Sequence, residues 1–356
     1  MVLQEMATPR PTYLLKRGQY DQPDKTVVLT PGIPSSFDFG GTSPTNRLEL
    51  ARWLVDPNHP LTARVTVNRY WQHFFGTGLV KTSENFGTQG LRPSHARLLD
   101  WLAVEFVQTG WDVKQLHRLI VTSATYRQSS RVTPKLLAVD PENKLLARGP
   151  RFRLSAQAIR DQALATSGLL VEQLGGVSVR PYMPPGIWRS ISNNKYKQDV
   201  GAKLYRRSLY TYWRRTLPPP TMTTFNAADR EVCIVRKDRT TTPLQALTMM
   251  NNVTFVEAAR FIAERMIREG GESIDERLAW GYTITTGRRP TIDELQPLQS
   301  AYTFFLENYQ RDSAAAKKLL SVGAAKRDIL LKLSEHAAMT MVANTLLNLN
   351  RSLTLE

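Results

Sequence analysis

Cysteine is all but missing: Cys233 stands alone among 356 residues. An internal disulfide framework, a four-thiolate zinc site and a Cys-x-x-Cys-His haem attachment are thereby excluded within this chain. Histidine is scarce too. His59, His73, His95, His117 and His336 fall 14, 22, 22 and 219 positions apart, so no pair has the spacing of a metal site and none is expected. No apolar run approaches the ~18 residues that cross a bilayer, and Met1 to Arg10 lacks the basic-then-apolar order of an export signal, so the chain reads as soluble, without membrane insertion. Also missing are a Gly-rich phosphate loop ending in Gly-Lys-Ser/Thr, His-Glu-x-x-His and Gly-x-Ser-x-Gly. Their absence removes the motif-based routes to nucleotide, zinc-protease and serine-hydrolase chemistry. Acidic residues are the rarer charge, 31 against 47 basic, and the net +16 favours anionic partners at low ionic strength.

What is present is a chain whose helix starts and stops can be read one by one. Apolar residues make up 42 %, enough for a sizeable core. Tyr13 to Arg17 and Lys25 to Thr30 are β-prone runs, predicting a hairpin that leads into a loop through Pro31, Gly32, Pro34, Gly40 and Gly41. Ser43-Pro44 predicts the first helix start. Helical runs then cover Arg47 to Val55 and Leu61 to Phe75, the second stopped by Gly76. Ser94 is expected to cap a helix carrying Leu98, Trp101, Leu102 and Phe106, and Asp112 with Gln115 launches another toward Tyr126. Ser155 opens a helix expected to reach Gly175. Thr242, Pro243 and Gln245 open one that is interrupted near Asn251 and Asn252 and continues to Arg268. Ser273 with Glu276 and Thr291 with Glu294 start two more, and Ile329 to Leu349 forms the last. The fold class is mainly α with a small β portion (α+β). Its divisions are an N-terminal hairpin and loop over 1–41, a helical region over 42–175, a basic aromatic region over 176–240, and a C-terminal helical region over 241–356 packing on the first.

Residues 176–240 differ in composition. Thirteen basic residues against four acidic ones leave +9 of the chain's +16 in this stretch. Eight aromatics interleave with the charge: Tyr182, Trp188, Tyr196, Tyr205, Tyr210, Tyr212, Trp213 and Phe225. Leu204 to Arg215 alternates with period two, which predicts a strand. Arg206, Arg207, Arg214, Arg215, Tyr212 and Trp213 are the candidate binding residues. Arginine with flat rings suits an anionic protein, an anionic polysaccharide or, less well, single-stranded nucleic acid. Buried rings with solvated arginines are the structural alternative.

Candidate catalytic groups are few. Arg69 and His73, four apart on one helix flank, could act as an anion holder and a general base, although His73 also suits the helix C-terminus. His117 falls on an apolar stripe and reads as a hydrogen-bonded core histidine. Asp229 and Glu231 form the nearest carboxyl pair for glycoside hydrolysis, with a site expected where Asp229 to Cys233 meets the Arg69 helix. Cys233 reads as a small buried residue more readily than as a nucleophile.

Four stretches carry a resemblance: PRPTYLLKRGQYDQP (Pro9 to Pro23), NRLELARWLVDPNHPLTARVTVNRYWQHFFGTGLVKT (Asn46 to Thr82), PSHARLLDWLAVEFVQTGWDVKQLHRLIVTSATYRQSS (Pro93 to Ser130) and RRSLYTYWRRTLPPPTMTTFNAADREVCIVRKDRTTTPLQALTMMNN (Arg206 to Asn252). In this order they resemble the planctomycete PSD-one family, domain of unknown function 1553. The resemblance implies the C-terminal part of larger exported proteins with an upstream cytochrome c domain. It therefore implies a periplasmic or cell-envelope location, a cytochrome c domain as a partner, and haem c only in that domain, with no cofactor in this chain. The chain would then be a fragment or a shortened member. Asn350 and Arg351 stand where the resemblance implies an acidic pair, which puts a role for that pair in doubt. No reaction is carried over, and the expected function is a binding or scaffold module, with a polysaccharide hydrolase or a nucleic-acid binder as alternatives.

Overall fold

A computed structural model describes all residues except 1–3, 5, 7, 9, 38–42, 191–194, 230, 237–238 and 356. Gly40, Gly41, Arg230, Lys237 and Asp238, singled out by the sequence, lie outside the described residues. The chain divides into two units, Met1–Pro150 and Arg151–Glu356.

In the first unit, β1 (Thr12–Leu15) and β2 (Pro23–Leu29) pair antiparallel with a register shift at Tyr13/Leu14, so the expected hairpin forms. Helix α1 (Arg47–Leu54) starts later than Ser43-Pro44 predicts. Asn46 is its cap, accepting from the Glu49 amide, while Glu49 takes the Thr45 amide and hydroxyl. Helix α2 (Thr62–Phe75) is capped by an imidazole: His59 Nδ1 lies 3.2 and 3.1 Å from the amides of Leu61 and Thr62. With α3 (Ala96–Gln108) and α4 (Val113–Thr122) it encloses Val67, Trp71, Phe75, Leu99, Leu102, Phe106, Leu116 and Ile120. Asn68 is fully buried on α2 and clamps the following loop, accepting from the Val80 amide and donating to the Val80 carbonyl and Ser83. A short α5 (Pro134–Val139) completes the unit. Helix α4 stops at Thr122, short of Tyr126, because Ser123 turns extended.

The second unit is built around two helices. Its elements are β3 (Phe152–Arg153), α6 (Ala156–Thr166), α7 (Pro220–Thr224), α8 (Pro243–Asn251), α9 (Val253–Glu269), α10 (Ile274–Thr286), α11 (Ile292–Arg311), α12 (Ser313–Leu320), α13 (Leu333–Asn348), α14 (Asn350–Leu353) and β4 (Thr354–Leu355). Helices α9 and α13 pack together, and Ala258, Ala259, Ala263 and Ala343 let the backbones approach while Ile262, Met339 and Val342 fill the core. Gly281 of α10 leaves room for the Met266 side chain, which a Cβ there would meet at 2.5 Å and displace. The capping boxes expected at Thr242–Gln245 and Ser273–Glu276 form, and the chain breaks at Asn252 as the sequence implies. Strands β3 and β4 pair antiparallel, a closure with no sequence signal.

Three expectations need correction here. Helix α6 ends at Thr166, not Gly175, because Gly168 turns the chain at φ +77°. Helix α13 starts at Leu333, and Ile329 and Leu330 are exposed rather than helical. Leu204 to Arg215 is not a strand but two 3₁₀ turns, Gly201–Tyr205 and Ser208–Tyr210, joined to the rest by single bridges.

Candidate functional site

Arginines explain why the alternating segment is not a strand. Arg160, buried on α6, donates to the carbonyls of Leu204 (2.7 Å) and Arg206 (2.9 Å) and to the Ser208 hydroxyl (3.2 Å). Beside it, Asp161 accepts the Ser208 amide at 2.7 Å. Burial lowers the Arg160 pKa to about 10, so the group stays charged at neutral pH. Arg206 repeats the device. It is 4 % exposed, lies 3.8 Å over the Tyr210 ring, and donates to the carbonyls of Gln173, Gly175 and Val177. Guanidinium donors therefore take the carbonyls that a neighbouring strand would otherwise satisfy. Arg206 is a structural clamp inside the protein, not a surface contact.

Around this clamp lies a second arrangement of the same residue types. The Val179 amide donates to the Tyr210 carbonyl and the Tyr212 amide to the Val179 carbonyl, which sets Arg180 beside Tyr212. The Arg180 guanidinium sits 4.8 Å from the Tyr212 ring, Tyr212 lies 6.2 Å from Trp188, and the Arg214 guanidinium sits 5.3 Å from Trp188. Tyr196 completes the cluster at 5.2 Å from Trp188, and its hydroxyl donates to the Pro181 carbonyl. Burial pushes the Tyr196 phenol well above its usual range. Arg180 is exposed, Trp188, Tyr212 and Arg214 are half-buried, and no carboxylate of the described residues lies in salt-bridge range of either guanidinium. The order Arg180, Tyr212, Trp188, Arg214 is a contiguous ladder of charge and ring.

The other predicted residues are dispersed. Arg207 is exposed, and Arg215 pairs with Glu231 at 3.6 Å in solvent. Trp213 packs against the main core and its indole donates to the Asp229 carbonyl. Asp229 and Glu231 are exposed, the Asp229 side chain accepts the Glu231 amide, and neither residue lies in a strand. Arg69 and His73 are exposed on α2 of the first unit; Asp229 and Glu231 belong to the second. Cys233 is exposed, contrary to the buried reading. His117 lies between Tyr70 (4.9 Å) and Phe74 (5.1 Å), and its Nε2 is buried without a hydrogen-bond partner among the described residues, so ring packing holds it in place of the expected hydrogen bond. Among the described residues, no three His, Cys, Asp or Glu side chains are grouped to hold a metal ion, and no helix is long and apolar enough to cross a membrane.

A buried polar seam escaped the sequence reading. Glu257 and Arg260 of α9 are each 1 % exposed. Glu257 accepts from Tyr182, Tyr205 and the Ala325 amide at 2.8 to 3.0 Å, and Arg260 donates to the Ala325 carbonyl. Gly323 is needed for this approach, since a Cβ there would meet the Glu257 carboxylate at 2.3 Å, and its φ is +96°. His336 of α13 is fully buried with Nε2 near the Arg260 carbonyl, and burial holds its pKa down to about 4. Spacing could have revealed the seam, because Glu257, Arg260 and Glu264 recur at helical intervals along one face of α9.

Comparison with known proteins agrees with the sequence resemblance. The profile of PSD1, protein of unknown function (DUF1553), matches residues 46–302, well over half the chain, and the chain belongs to that family. No curated protein and no solved structure matches it.

Proposed function

We propose that this chain is a docking module that binds an acidic protein through the Arg180–Tyr212–Trp188–Arg214 ladder. The observation that supports it is the pair of ring-stacked guanidiniums with no carboxylate partner among the described residues. Stacking on a ring restricts the arginine rotamers while leaving the N–H edge for bidentate contact with a carboxylate, so less entropy is lost on binding. A sugar chain suits the ladder less well, because stacking on sugar needs open ring faces and guanidiniums lie over these two. In the setting that the family resemblance implies, the partner is a neighbouring envelope domain such as a cytochrome c domain, and the haem belongs to that domain.

The test is retention at low ionic strength on immobilised poly-L-glutamate, heparin and polyuridylate. Poly-L-glutamate should bind, with affinity falling as salt rises, and Arg180→Glu with Arg214→Glu should weaken it about tenfold or more. Equal affinity of the double variant overturns the reading. Stronger retention on heparin transfers the ladder to an anionic polysaccharide, and stronger retention on polyuridylate transfers it to nucleic acid.

A further inference from the structure

The residues that follow Arg180 in the chain line a groove of about 590 Å³, within the roughly 300–1,000 Å³ typical of ligand sites. One wall is Tyr182, Met183, Pro184 and Pro185; the other is the outer face of α8, with Leu244 and Leu247. Those two leucines are 61 % and 54 % exposed, on a helix whose opposite face is anchored by the buried Gln245 and Met249. Gln245 donates to the Thr224 carbonyl and Asn226, and the Met249 carbonyl accepts from Asn344, so the wall cannot fold inward to hide its leucines. On the facing wall Tyr182 is anchored as well, its hydroxyl held between Glu257 and the Ala324 amide, and the wall's prolines are rigid.

Ladder and groove share one stretch of chain. Tyr182 is two residues beyond Arg180, and Gln198, which lines the groove, precedes Asp199, whose amide donates to the Arg180 carbonyl. The Gln198 side-chain amide is exposed and makes no hydrogen bond among the described residues. It therefore offers a donor and an acceptor at the height of a bound backbone. We infer that the groove takes an extended polypeptide segment in which aliphatic side chains alternate with acidic ones. The aliphatic side chains enter between Pro184–Pro185 and Leu244–Leu247, and the carboxylates reach Arg180 and Arg214. Alternation follows from extended geometry, which sends successive side chains to opposite faces. The inference rests on the docking reading above and names the partner's segment.

The experiment compares two fluorescent dodecapeptides at low ionic strength, one of alternating glutamate and leucine, the other all glutamate. The probes are titrated against the full chain and against Leu244→Ser with Leu247→Ser, whose fold is checked by circular dichroism. The mixed peptide is expected to bind the unaltered chain at least about tenfold more tightly than the acidic one. The double variant should lose that preference and keep its affinity for the all-glutamate peptide. Equal binding of the two peptides, or a preference that survives the leucine substitutions, overturns the groove assignment and leaves the ladder standing. Failure of the all-glutamate peptide to bind either protein overturns the ladder reading instead. Dimerisation of the unaltered chain that the leucine variant abolishes gives the groove to a second copy and also overturns the inference.

Discussion

Arg206 and Arg214 stand eight positions apart in the basic segment, and each has its guanidinium over an aromatic ring, yet they serve opposite ends. Arg206 is buried and its donors are taken by three backbone carbonyls. Arg214 is half-exposed, and among the described residues its guanidinium meets the ring of Trp188 alone. The same contrast separates the α9 seam, where Glu257, Arg260 and His336 are sealed together, from the ladder, where charge faces solvent. Composition counts both kinds as positive surface. What distinguishes them is whether a main-chain carbonyl without a strand neighbour lies within reach, because a buried carbonyl must be satisfied.

The severest challenge to this contrast is Glu257→Ala. Removing one member of a buried ion pair leaves Arg260 with only the more distant Glu264 as its counter-charge and two tyrosine hydroxyls without their acceptor, so a loss of about 3–5 kcal/mol is expected. Denaturant unfolding reads it directly. A loss no greater than that of a surface arginine means that the seam and the ladder do not differ as described.

Acid pH sharpens the same contrast, since the seam holds a titrating group and the ladder does not. An unfolded chain protonates His336 near pH 6.5, whereas the folded chain keeps the ring neutral down to about 4. Between these values the unfolded state binds more protons. Stability is therefore full above about pH 6.5 and falls as pH drops toward 4, by about 3 kcal/mol in all. The groups facing His336 are Arg260, Glu264 and Arg327. Glu264, whose carboxyl burial raises, contributes a slope of opposite sign, so the His336 share is taken as the difference from His336→Gln. An acid limb unchanged in His336→Gln removes the histidine from this account.

How much of this was legible follows from the range of each signal. Asp112, Ser155, Thr242 with Gln245, and Ser273 with Glu276 cap where the sequence places them, because a cap is decided within three residues, whereas Ser94 does not cap: α3 starts after His95 and the Ser94 hydroxyl donates to the Leu79 carbonyl. Leu204 to Arg215 reads as a strand because its residue types alternate, but burial does not follow that alternation: Arg206 is buried while Leu209 is exposed, and the guanidiniums of Arg160 and Arg206 take carbonyls where a strand would have a ladder of main-chain bonds. The arginine–aromatic character of the site was visible in composition. Its membership was not: Arg180 meets Tyr212 and Trp188 meets Arg214 across turns, a long-range pairing that no local period encodes.

The gentlest probe is a matched pair, Arg206→Ala against Arg214→Ala. Arg206→Ala removes three hydrogen bonds to carbonyls from a buried side chain and should cost about 2–3 kcal/mol, since a net hydrogen bond is worth roughly 0.5–1.5. Arg214→Ala removes one cation–π contact near solvent, worth about 0.5–1 kcal/mol, and should barely move the melting temperature. The same two proteins on immobilised poly-L-glutamate should rank the other way. Arg206→Ala, compared below its own melting transition, should be retained like the unaltered chain, while Arg214→Ala elutes at lower salt. Because the two variants remove the same side chain from the same basic segment, net charge falls equally in both, and only the placement of the guanidinium can reverse their order. Retention that falls equally for both would mean that the chain attracts anions through its overall charge and not through the ladder.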